Sequence, residues 1–359
     1  MSLEEFLEEW NNSSDYVWVQ TSGSTGTPKP MLVEKRRMLN SARITCDFLG
    51  LNPGDTALLC MSLDYIAGKM MVVRSLERGL RLITVEPSGH PLITQGDRSA
   101  VSSDDTALLS PCVIDFAAMV PMQVYNSLQV PEERERLMQI RHLIIGGGAI
   151  DDAMAEELKS FPHAVWSTYG MTETLSHIAL RRLSGPEASD WYTPFPSVKV
   201  SLNEDNCLVI DAPEVCPERL VTNDIAELIA QGDRSAVSSD DTALLSPCAM
   251  SPCAISFRIL GRKDNVICSG GIKIQAEEVE RELRPHLRVP YIISKRPDSK
   301  FGEIVVLLTE GSVDEARQVC ERVLPKYHQP RLYLHVDHIP LTETGKPARH
   351  AAYLLILNS

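Results

Sequence analysis

The chain has 359 residues, of which 43% are hydrophobic and 23% charged, and its formal net charge is −13 at pH 7. This length suits one large domain or two, and the acidic balance argues against nucleic acid and anionic membranes as partners. Nine cysteines without a CxxC pair argue against a disulfide framework or a zinc site, and they favour a reducing compartment. The acidic first 15 residues do not resemble a signal peptide, and no apolar run approaches the roughly 20 residues of a membrane span. We therefore expect a cytoplasmic protein.

Strands and helices alternate over the first 170 residues. A β-type run at 16–19 precedes a Gly/Ser/Thr-rich loop, and apolar residues at helical spacing then predict a helix that stops at Asn52-Pro53-Gly54. Further strands are predicted at 56–61, 82–85, 142–145 and 164–168, and helices at 69–76, at 131–140 and along Ile150, Met154 and Leu158. This alternation predicts an α/β sheet with ligand sites at the carboxyl ends of its strands.

The pattern changes after about residue 190. Short strands are predicted at 198–202, 207–210, 225–229 and 257–260. The tail after Gly261 combines strands near 291–294, 303–309 and 332–336 with helices near 276–285 and 313–323, the second capped by Ser312. The predicted fold class is α/β. A large N-terminal domain over 1–260 has mixed sheets with helices plus a β-rich section, and a small mobile α+β domain spans 261–359.

An 18-residue segment occurs twice without a change. QGDRSAVSSDDTALLSPC fills residues 95–112 and again 231–248. Its Ser/Asp content and weak periodicity predict loop structure, and an inserted duplication explains the identity better than a repeat fold does. We expect residues 231–248 to form an exposed, mobile loop between the strands predicted at 225–229 and 257–260.

The loop at residues 20–30, QTSGSTGTPKP, is the most informative segment. Glycines can turn backbone N–H groups inward, while hydroxyls and a lysine add donors and charge, which together suit a polyphosphate. It is not a Walker A loop, because no Gly-Lys-Ser/Thr triplet follows at the required spacing. A flexible linker would seldom follow a strand and end in Pro-Lys-Pro. The candidate phosphate ligands are Thr21, Ser22, Ser24, Thr25, Thr27 and Lys29.

Four further motifs follow along the chain. YGMTET at 169–174 offers an aromatic face for a base, a hydroxyl, and a carboxylate that can hold Mg²⁺ beside phosphate oxygens. TND at 222–224 supplies a carboxylate suited to ribose hydroxyls. GRKDN at 261–265 leads to a glycine pair at 270–271, and PLTETGK at 340–346 places one lysine on a glycine-containing loop. Taken singly, each is equally compatible with an ordinary turn or a solvated side chain.

Taken together and in this order, these motifs resemble those of the acyl-adenylate-forming superfamily, which contains acyl- and aryl-CoA ligases, peptide-synthetase adenylation domains and luciferases. The resemblance spans about residues 16–350 apart from the repeated segments, with TND where the family usually has TGD. A short turn joins the corresponding strands in relatives, so the resemblance implies that the strands at 225–229 and 257–260 pair as a hairpin. Residues 62–91 and 115–128 look most like the o-succinylbenzoate–CoA ligases of menaquinone synthesis. The resemblance implies an ATP-dependent, AMP-forming ligase that uses ATP, Mg²⁺ and coenzyme A on a small carboxylic acid, as a monomer or an oligomer.

The resemblance also implies roles for individual residues. The loop at 21–29 would enclose the β- and γ-phosphates. The other implied nucleotide contacts are Gly146, Gly147, Gly148 and Tyr169 around adenine, Thr172 at the α-phosphate, Glu173 at Mg²⁺, and Asp224 and Arg262 at the ribose. The implied moving parts are Asp264 as the hinge, Gly270 and Gly271 along the pantetheine tunnel, and Lys346, which would bridge the carboxylate and the α-phosphate during adenylation.

The acid pocket is the least constrained part of the site. The candidates are Lys69 and Arg74 for a second carboxylate, and Gly147, Ser167, Thr168 and Leu175 for an aromatic part. Each could equally serve the fold; Arg74, for example, could be a charge on a helix surface. Two alternatives stay open. The chain could be a ligase for another acid, or it could be a relative that binds ATP or AMP without turnover, which the repeated segment would favour.

Overall fold

The computed structural model describes residues 1–20, 30–93, 113–148, 150, 152–230, 255–342 and 347–359. In these ranges the chain forms nine α-helices and 18 strands in four sheets. The helices are α1 (Leu3–Asn11), α2 (Lys35–Leu49), α3 (Ile66–Arg78), α4 (Pro121–Gln129), α5 (Pro131–Gln139), α6 (Asp152–Leu158), α7 (Ala276–Leu283), α8 (Val313–Val323) and α9 (Arg349–Leu357). The predicted phosphate loop, both repeated segments and Lys346 lie outside the described residues.

The strands carry most of the architecture. They are β1 (Tyr16–Gln20), β2 (Pro30–Glu34), β3 (Thr56–Leu59), β4 (Arg81–Thr84), β5 (Phe116–Met119), β6 (His142–Ile145), β7 (Ala164–Gly170), β8 (His177–Arg182), β9 (Thr193–Pro194), β10 (Lys199–Leu202), β11 (Cys207–Asp211), β12 (Leu220–Ala230), β13 (Ile255–Arg262), β14 (Val266–Ser269), β15 (Ile272–Gln275), β16 (Tyr291–Asp298), β17 (Gly302–Thr309) and β18 (Leu332–His335). None of the described helices is long and apolar enough to cross a bilayer.

The largest sheet confirms the predicted alternation of strands and helices. Its seven strands run in the order β4-β3-β5-β6-β7-β8-β9. The first five are parallel to one another, and β8 pairs antiparallel with both β7 and β9. The chain leaves β3 for β4 on one side and returns to β5 on the other, so the strand order reverses beside β3. Such a reversal opens a crevice at the carboxyl ends of the parallel strands, where ligands bind in α/β sheets.

Helices cover both faces of this sheet, which is why a strand such as β3 is buried at every position. Helices α2 and α3 pack on one face and α4, α5 and α6 on the other, and each face forms its own core cluster. The sequence placed the stop of the first long helix at Asn52-Pro53-Gly54, but α2 ends earlier. Gly50 has φ 64° and caps the helix with its N–H, a left-handed conformation that favours glycine.

The β-rich section forms an antiparallel sheet in the order β10-β11-β12-β13. Strands β12 and β13 pair directly, with Asp224 opposite Arg262. The predicted hairpin is therefore confirmed, although the repeated segment that separates its strands in sequence lies outside the described residues.

A third sheet follows in the order β15-β14-β17-β16, with β18 parallel to β17. Helices α7 and α8 pack on one face and α9 on the other. Ser312 caps α8 as predicted, since its side chain accepts a hydrogen bond from the backbone N–H of Glu315. The predicted fold class is confirmed as an α/β fold with a large N-terminal part and a small α+β C-terminal part. The boundary between residues 260 and 261 remains a prediction.

Candidate active site

Glycines lie where β6 ends at the carboxyl edge of the large sheet. A Cβ on Gly146 would lie 2.4 Å from Thr168 Oγ1, so only glycine lets β6 approach β7 this closely here. Gly147 has φ 79°, which a side chain would strain, and it faces the methyl group of Val120 at the end of β5. The ends of β5, β6 and β7 thus form a surface of exposed backbone that can approach a flat ligand closely.

A single tight turn at Thr172–Thr174 follows β7. The backbone N–H of Met171 donates to Thr174 Oγ1 at 3.0 Å, and Thr174 Oγ1 donates in turn to Ser176 O at 2.7 Å. Thr174 is fully buried, and Leu175 has φ 65°, an uncommon conformation for a non-glycine residue. The turn is therefore held firmly while Glu173 remains exposed at its outer side.

The exposed Glu173 carboxylate fits a Mg²⁺ site shared with phosphate groups. Over the described ranges, Glu173 makes no ion pair and no hydrogen bond through its side chain. The same ranges hold no cluster of three His, Cys, Asp or Glu side chains that would make an all-protein metal cage. Mg²⁺ usually takes one or two carboxylates together with substrate phosphates and water. One free carboxylate at this edge suits that mode of binding.

Tyr169, Asp224 and Arg262 come together, as the sequence predicted for the two ribose residues. The Tyr169 hydroxyl donates to Asp224 Oδ2 at 2.6 Å, and Arg262 Nη1 lies 3.4 Å from Asp224 Oδ1. Burial and the neighbouring Asp224 raise the pKa of Tyr169 well above its usual range, so the phenol stays protonated and donates. Its ring packs edge-on against Phe257 at 5.1 Å. An aromatic ring and a carboxylate therefore lie side by side at the carboxyl edge.

The turn after β13 carries the predicted hinge residue. Lys263–Asn265 form one short turn, and Arg262 Nη2 donates to Asp264 Oδ2 at 3.1 Å. Beyond it, Gly270 and Gly271 connect β14 to β15 with φ values of 59° and 85°. A left-handed pair of this kind makes the tight hairpin and leaves its tip without side chains.

Arg74 is buried rather than exposed, which contradicts the alternative of a charge on the helix surface. It is 2% exposed, and its Nη2 donates to Ser176 Oγ at 2.6 Å. Its Nε has no hydrogen-bond partner, and no carboxylate forms an ion pair with it among the described residues. Burial lowers the pKa of Arg74 to about 10, which leaves the guanidinium charged at neutral pH. The structure thus places a buried positive charge beside the turn that follows β7, and no counterion for it lies in the described ranges.

The other acid-pocket candidates have described partners within the chain. Lys69 Nζ donates to the carbonyl of Trp18 at 2.5 Å and lies 3.8 Å from a Glu9 carboxylate oxygen, which ties α3 to the N-terminal segment. Ser167 Oγ lies 2.8 Å from the hydroxyl of Tyr192. Leu175 is buried in the core and precedes Ser176 directly. Arg74 is therefore the candidate whose charge has no described counterion.

The residues just outside the predicted lysine loop are fixed. The N–H of Ala348 donates to Pro340 O at 2.8 Å, which closes the base of the loop. Arg349 donates to both carboxylate oxygens of Glu280 on α7, at 3.1 and 2.6 Å. Both ends of the segment that contains Lys346 are thus anchored to the C-terminal part.

Sequence reasoning missed the polar residues behind Arg74. Ser176 Oγ also lies 3.2 Å from His177 Nδ1, and the other ring nitrogen of His177 lies 3.1 Å from Thr45 Oγ1. Burial and then the Arg74 charge lower the pKa of His177 well below its usual value, so the imidazole is neutral. The signal in the sequence was that Ser176 and His177 come soon after YGMTET, with Leu175 between.

A family model of AMP-binding enzymes matches residues 4–233. A 2-succinylbenzoate–CoA ligase of Listeria monocytogenes is 26% identical over 356 residues, which cover 96% of this chain and 71% of that protein. The corresponding ligase of Enterococcus faecalis is 25% identical over 366 residues, which cover 98% and 71%.

Two solved structures share this fold. An acyl-CoA synthetase (AMP-forming)/AMP-acid ligase II-like protein of Dyadobacter fermentans matches with a TM-score of 0.59 and 29% identity, over 97% of this chain and 91% of that one. An O-succinylbenzoate coenzyme A synthetase of Bacillus subtilis, solved with ATP and magnesium, has a TM-score of 0.69 and 21% identity, over 93% and 68%. The family model matches residues 4–233, well over half of this chain, so the chain belongs to the family of AMP-binding enzymes.

Proposed function

We propose that the chain converts 2-succinylbenzoate to its CoA thioester through an acyl-AMP intermediate, as a step of menaquinone synthesis. The chain is an AMP-forming acid–CoA ligase, which the AMP-binding family model and the curated ligases support. The identity of the acid is the finer step. It rests on the names of those relatives and on one feature of the site, the buried guanidinium of Arg74, which forms no ion pair with a carboxylate among the described residues.

2-Succinylbenzoate carries two carboxylates, and a CoA ligase activates only one of them. The second must enter the pocket as an anion, which requires a fixed cation. Arg74 is buried, charged, and without a carboxylate partner among the described residues, and its Nε is free to donate. An uncompensated buried charge costs several kcal/mol, so a ligand carboxylate at this place would offset that cost. A monocarboxylic acid would leave the charge unpaired.

The proposed pocket places the aromatic ring between Arg74 and the carboxyl edge. Leu175 supplies an apolar wall next to Ser176, which orients the guanidinium. Gly147, just after β6, and Thr168, near the end of β7, would accept the flat ring. Ser167 comes one residue before Thr168, on the opposite face of β7, where it contacts Tyr192. We propose no role for Lys69 in the pocket, because its ammonium group is held by Trp18 and Glu9.

The first half-reaction joins the carboxylate to AMP. A carboxylate oxygen attacks the α-phosphorus of ATP, the bond to the bridging oxygen of the β-phosphate breaks, and pyrophosphate leaves with that electron pair. Both reactants are anions, so catalysis depends on neutralising charge as the bond forms. We assign this work to the loop at 21–29, to Thr172 at the α-phosphate and to Lys346. Mg²⁺ bound at Glu173 would screen the phosphate oxygens.

The adenosine would lie beside Tyr169, with Gly146, Gly147 and Gly148 along the base. Asp224 is hydrogen-bonded to Tyr169 and close to Arg262, so a ribose over this pair would find both an acceptor and a donor. The ring of Tyr169 is fixed by Phe257 and its hydroxyl by Asp224, which restricts the orientation of any base that stacks on it.

The second half-reaction replaces AMP by the thiol of CoA. The thiolate attacks the acyl carbon, the acyl–phosphate bond breaks, and AMP leaves. We propose that the C-terminal part turns about Asp264 between the two steps, so that Lys346 departs and the Gly270-Gly271 hairpin lines the thiol's path. A moving part also limits hydrolysis of the reactive intermediate.

Product analysis tests the assignment. The protein is incubated with ATP, Mg²⁺, CoA and one acid at a time, and thioester and AMP are quantified by mass spectrometry. We expect 2-succinylbenzoate to give equal amounts of its CoA ester and AMP, while 4-oxo-4-phenylbutanoate, which lacks the ring carboxylate, reacts poorly. If another acid gives more thioester and AMP, that acid and not 2-succinylbenzoate is the substrate. AMP binding with no product from any acid would favour the relative that does not turn over.

A further inference from the structure

We infer that Asn223 and Asp205 are positioning residues that hold the hinge turn at Lys263–Asn265 in its present arrangement. The inference rests on the proposed two-step function, since it concerns how the chain divides its time between the two half-reactions. Within the described part of the chain, the side-chain hydrogen bonds of Asn223 and Asp205 go to Asp264 and Lys263, and none goes to Tyr169, Asp224 or Arg262. Both make polar contacts with the segment that joins the third sheet to the rest of the chain.

The topology makes this segment important. Strand β13 ends at Arg262 in the antiparallel sheet, and β14 begins at Val266 in the third sheet. The turn between them is therefore the covalent link between the two parts, and a change in its backbone angles rotates everything that follows. A contact that fixes this turn also fixes the orientation of the third sheet.

Asn223 contacts this turn from β12. Its Nδ2 lies 3.2 Å from Asp264 Oδ2 and 3.4 Å from Oδ1, so the amide donates to the hinge carboxylate. The same carboxylate accepts from Arg262 Nη2 at 3.1 Å. Asp264 is thus held by two donors, of which one belongs to its own strand end and the other to the neighbouring strand.

Asp205 contacts the turn from the other side. It lies in the connection between β10 and β11, and its carboxylate accepts from Lys263 Nζ at 2.6 Å. The interaction lowers the pKa of Asp205 and raises that of Lys263, as a favourable pair should. Consecutive residues of the turn, Lys263 and Asp264, are therefore each tied to a different loop or strand of the antiparallel sheet.

These contacts are exposed, so each one is weak and can be broken during turnover. Breaking one exposed contact of this kind shifts a conformational equilibrium only several-fold, because solvent screens it. The contacts bias the hinge without locking it. Removing either one should shift the population away from the present arrangement. The half-reaction that uses this arrangement should then slow relative to the other.

The test compares the two half-reactions in Asn223→Ala, Asn223→Asp and Asp205→Ala. ATP–pyrophosphate exchange with 2-succinylbenzoate measures adenylation, and thioester formation from synthetic acyl-AMP and CoA measures the second step. We expect the ratio of the two rates to change by about 3- to 10-fold, in the same direction for all three variants. The change in this ratio should be larger for Asn223→Asp than for Asn223→Ala, because the substitution places a second carboxylate beside that of Asp264. Glu204→Ala, an exposed neighbour of Asp205, is the matched control and should keep the wild-type ratio.

A second readout does not depend on activity. Trypsin cleaves after Lys263 when the turn opens, and cleavage of a transiently open segment follows its population. We expect both Asn223 variants to be cut at this site about 3- to 10-fold faster than wild type. Wild-type cleavage rates together with an unchanged half-reaction ratio would overturn the inference. A wild-type protein inactive in both half-reactions would instead refute the proposed function, and the cleavage rates would still decide whether these residues hold the turn.

Discussion

Replacing Arg74 by methionine separates substrate recognition from folding. Methionine has a similar length without the charge, and Arg74 is 2% exposed with no ion pair among the described residues. Ser176 would keep a partner, since its hydroxyl also lies 3.2 Å from His177 Nδ1. Replacing a buried charge by an apolar side chain is often neutral or stabilising. We therefore expect Arg74→Met to unfold at the wild-type temperature or slightly above it.

The effect on the substrate should be large and selective. A hydrogen-bonded contact between a guanidinium and a ligand carboxylate contributes about 2–3 kcal/mol, so its loss should lower kcat/KM for 2-succinylbenzoate about 30- to 150-fold. The monoacid 4-oxo-4-phenylbutanoate cannot make this contact, and its kcat/KM should stay the same or rise. The preference for the diacid should therefore collapse in Arg74→Met.

The assay measures kcat/KM for both acids by pyrophosphate release in wild type, Arg74→Met and a control. Arg43→Met removes an exposed arginine of α2 that pairs with Glu77, and it should leave both constants unchanged. Thermal denaturation establishes that all three proteins are folded. A folded Arg74→Met protein with the wild-type ratio of diacid to monoacid activity would refute the role of Arg74 in substrate binding.

Four further predictions concern the rest of the chain. Lys346→Ala should abolish acyl-AMP formation yet leave thioester formation from synthetic acyl-AMP intact; equal loss of both steps would contradict a lysine used in one conformation only. Glu173→Gln should slow adenylation at least 10-fold and raise the Mg²⁺ concentration needed for half-maximal rate, with ATP binding weakened only modestly; a normal Mg²⁺ titration would make Glu173 structural. Deleting 231–248 should keep or raise the melting temperature and activity, and a loss of folding would mean that the segment packs into the core. His177 is held neutral by burial and by Arg74, so its contribution to stability is present above the unfolded pKa of about 6.5 and is lost as the pH falls below it; urea unfolding at pH 7 and pH 5 should show a smaller acid loss in His177→Gln, and equal losses would contradict this.

The spacing of apolar residues predicted the helices and strands well, because an element that packs one face on the core repeats apolar residues along that face. The helical spacing of Ala42, Cys46 and Leu49 places them on the buried face of α2. In this helix the sequence carries a pattern that the buried face must satisfy. The pairing of β12 with β13 was expected from the resemblance instead, and Asp224 lies opposite Arg262.

The environment of single polar residues could not be predicted in the same way. Arg74 lies on α3 among apolar neighbours, but the sequence does not reveal that Ser176, about a hundred positions later, meets its guanidinium. Lys69 looked equivalent to Arg74, and only the packing of the N-terminal segment gives it partners in Trp18 and Glu9. Such contacts depend on the tertiary arrangement of several elements, which no local pattern encodes.

The contact between Asn223 and Asp264 is a second example of a side-chain contact that the sequence did not predict. The sequence marked Asn223 only as a substitution in a TGD-like motif. In the structure Asn223 lies within the extended strand β12, and its amide reaches the hinge carboxylate. The motif alone did not indicate this side-chain contact.

The most direct measurement of the central claim is ATP–pyrophosphate exchange without CoA, with each acid of a panel in turn. This exchange requires a reversible acyl-AMP step and nothing else. We predict rapid, Mg²⁺-dependent exchange with 2-succinylbenzoate and at least 10-fold slower exchange with acids that lack its second carboxylate, since one lost charge-assisted contact accounts for that factor. Exchange that is absent with every acid, or equally fast with the monoacids, would contradict an adenylating ligase that selects a dicarboxylate through Arg74.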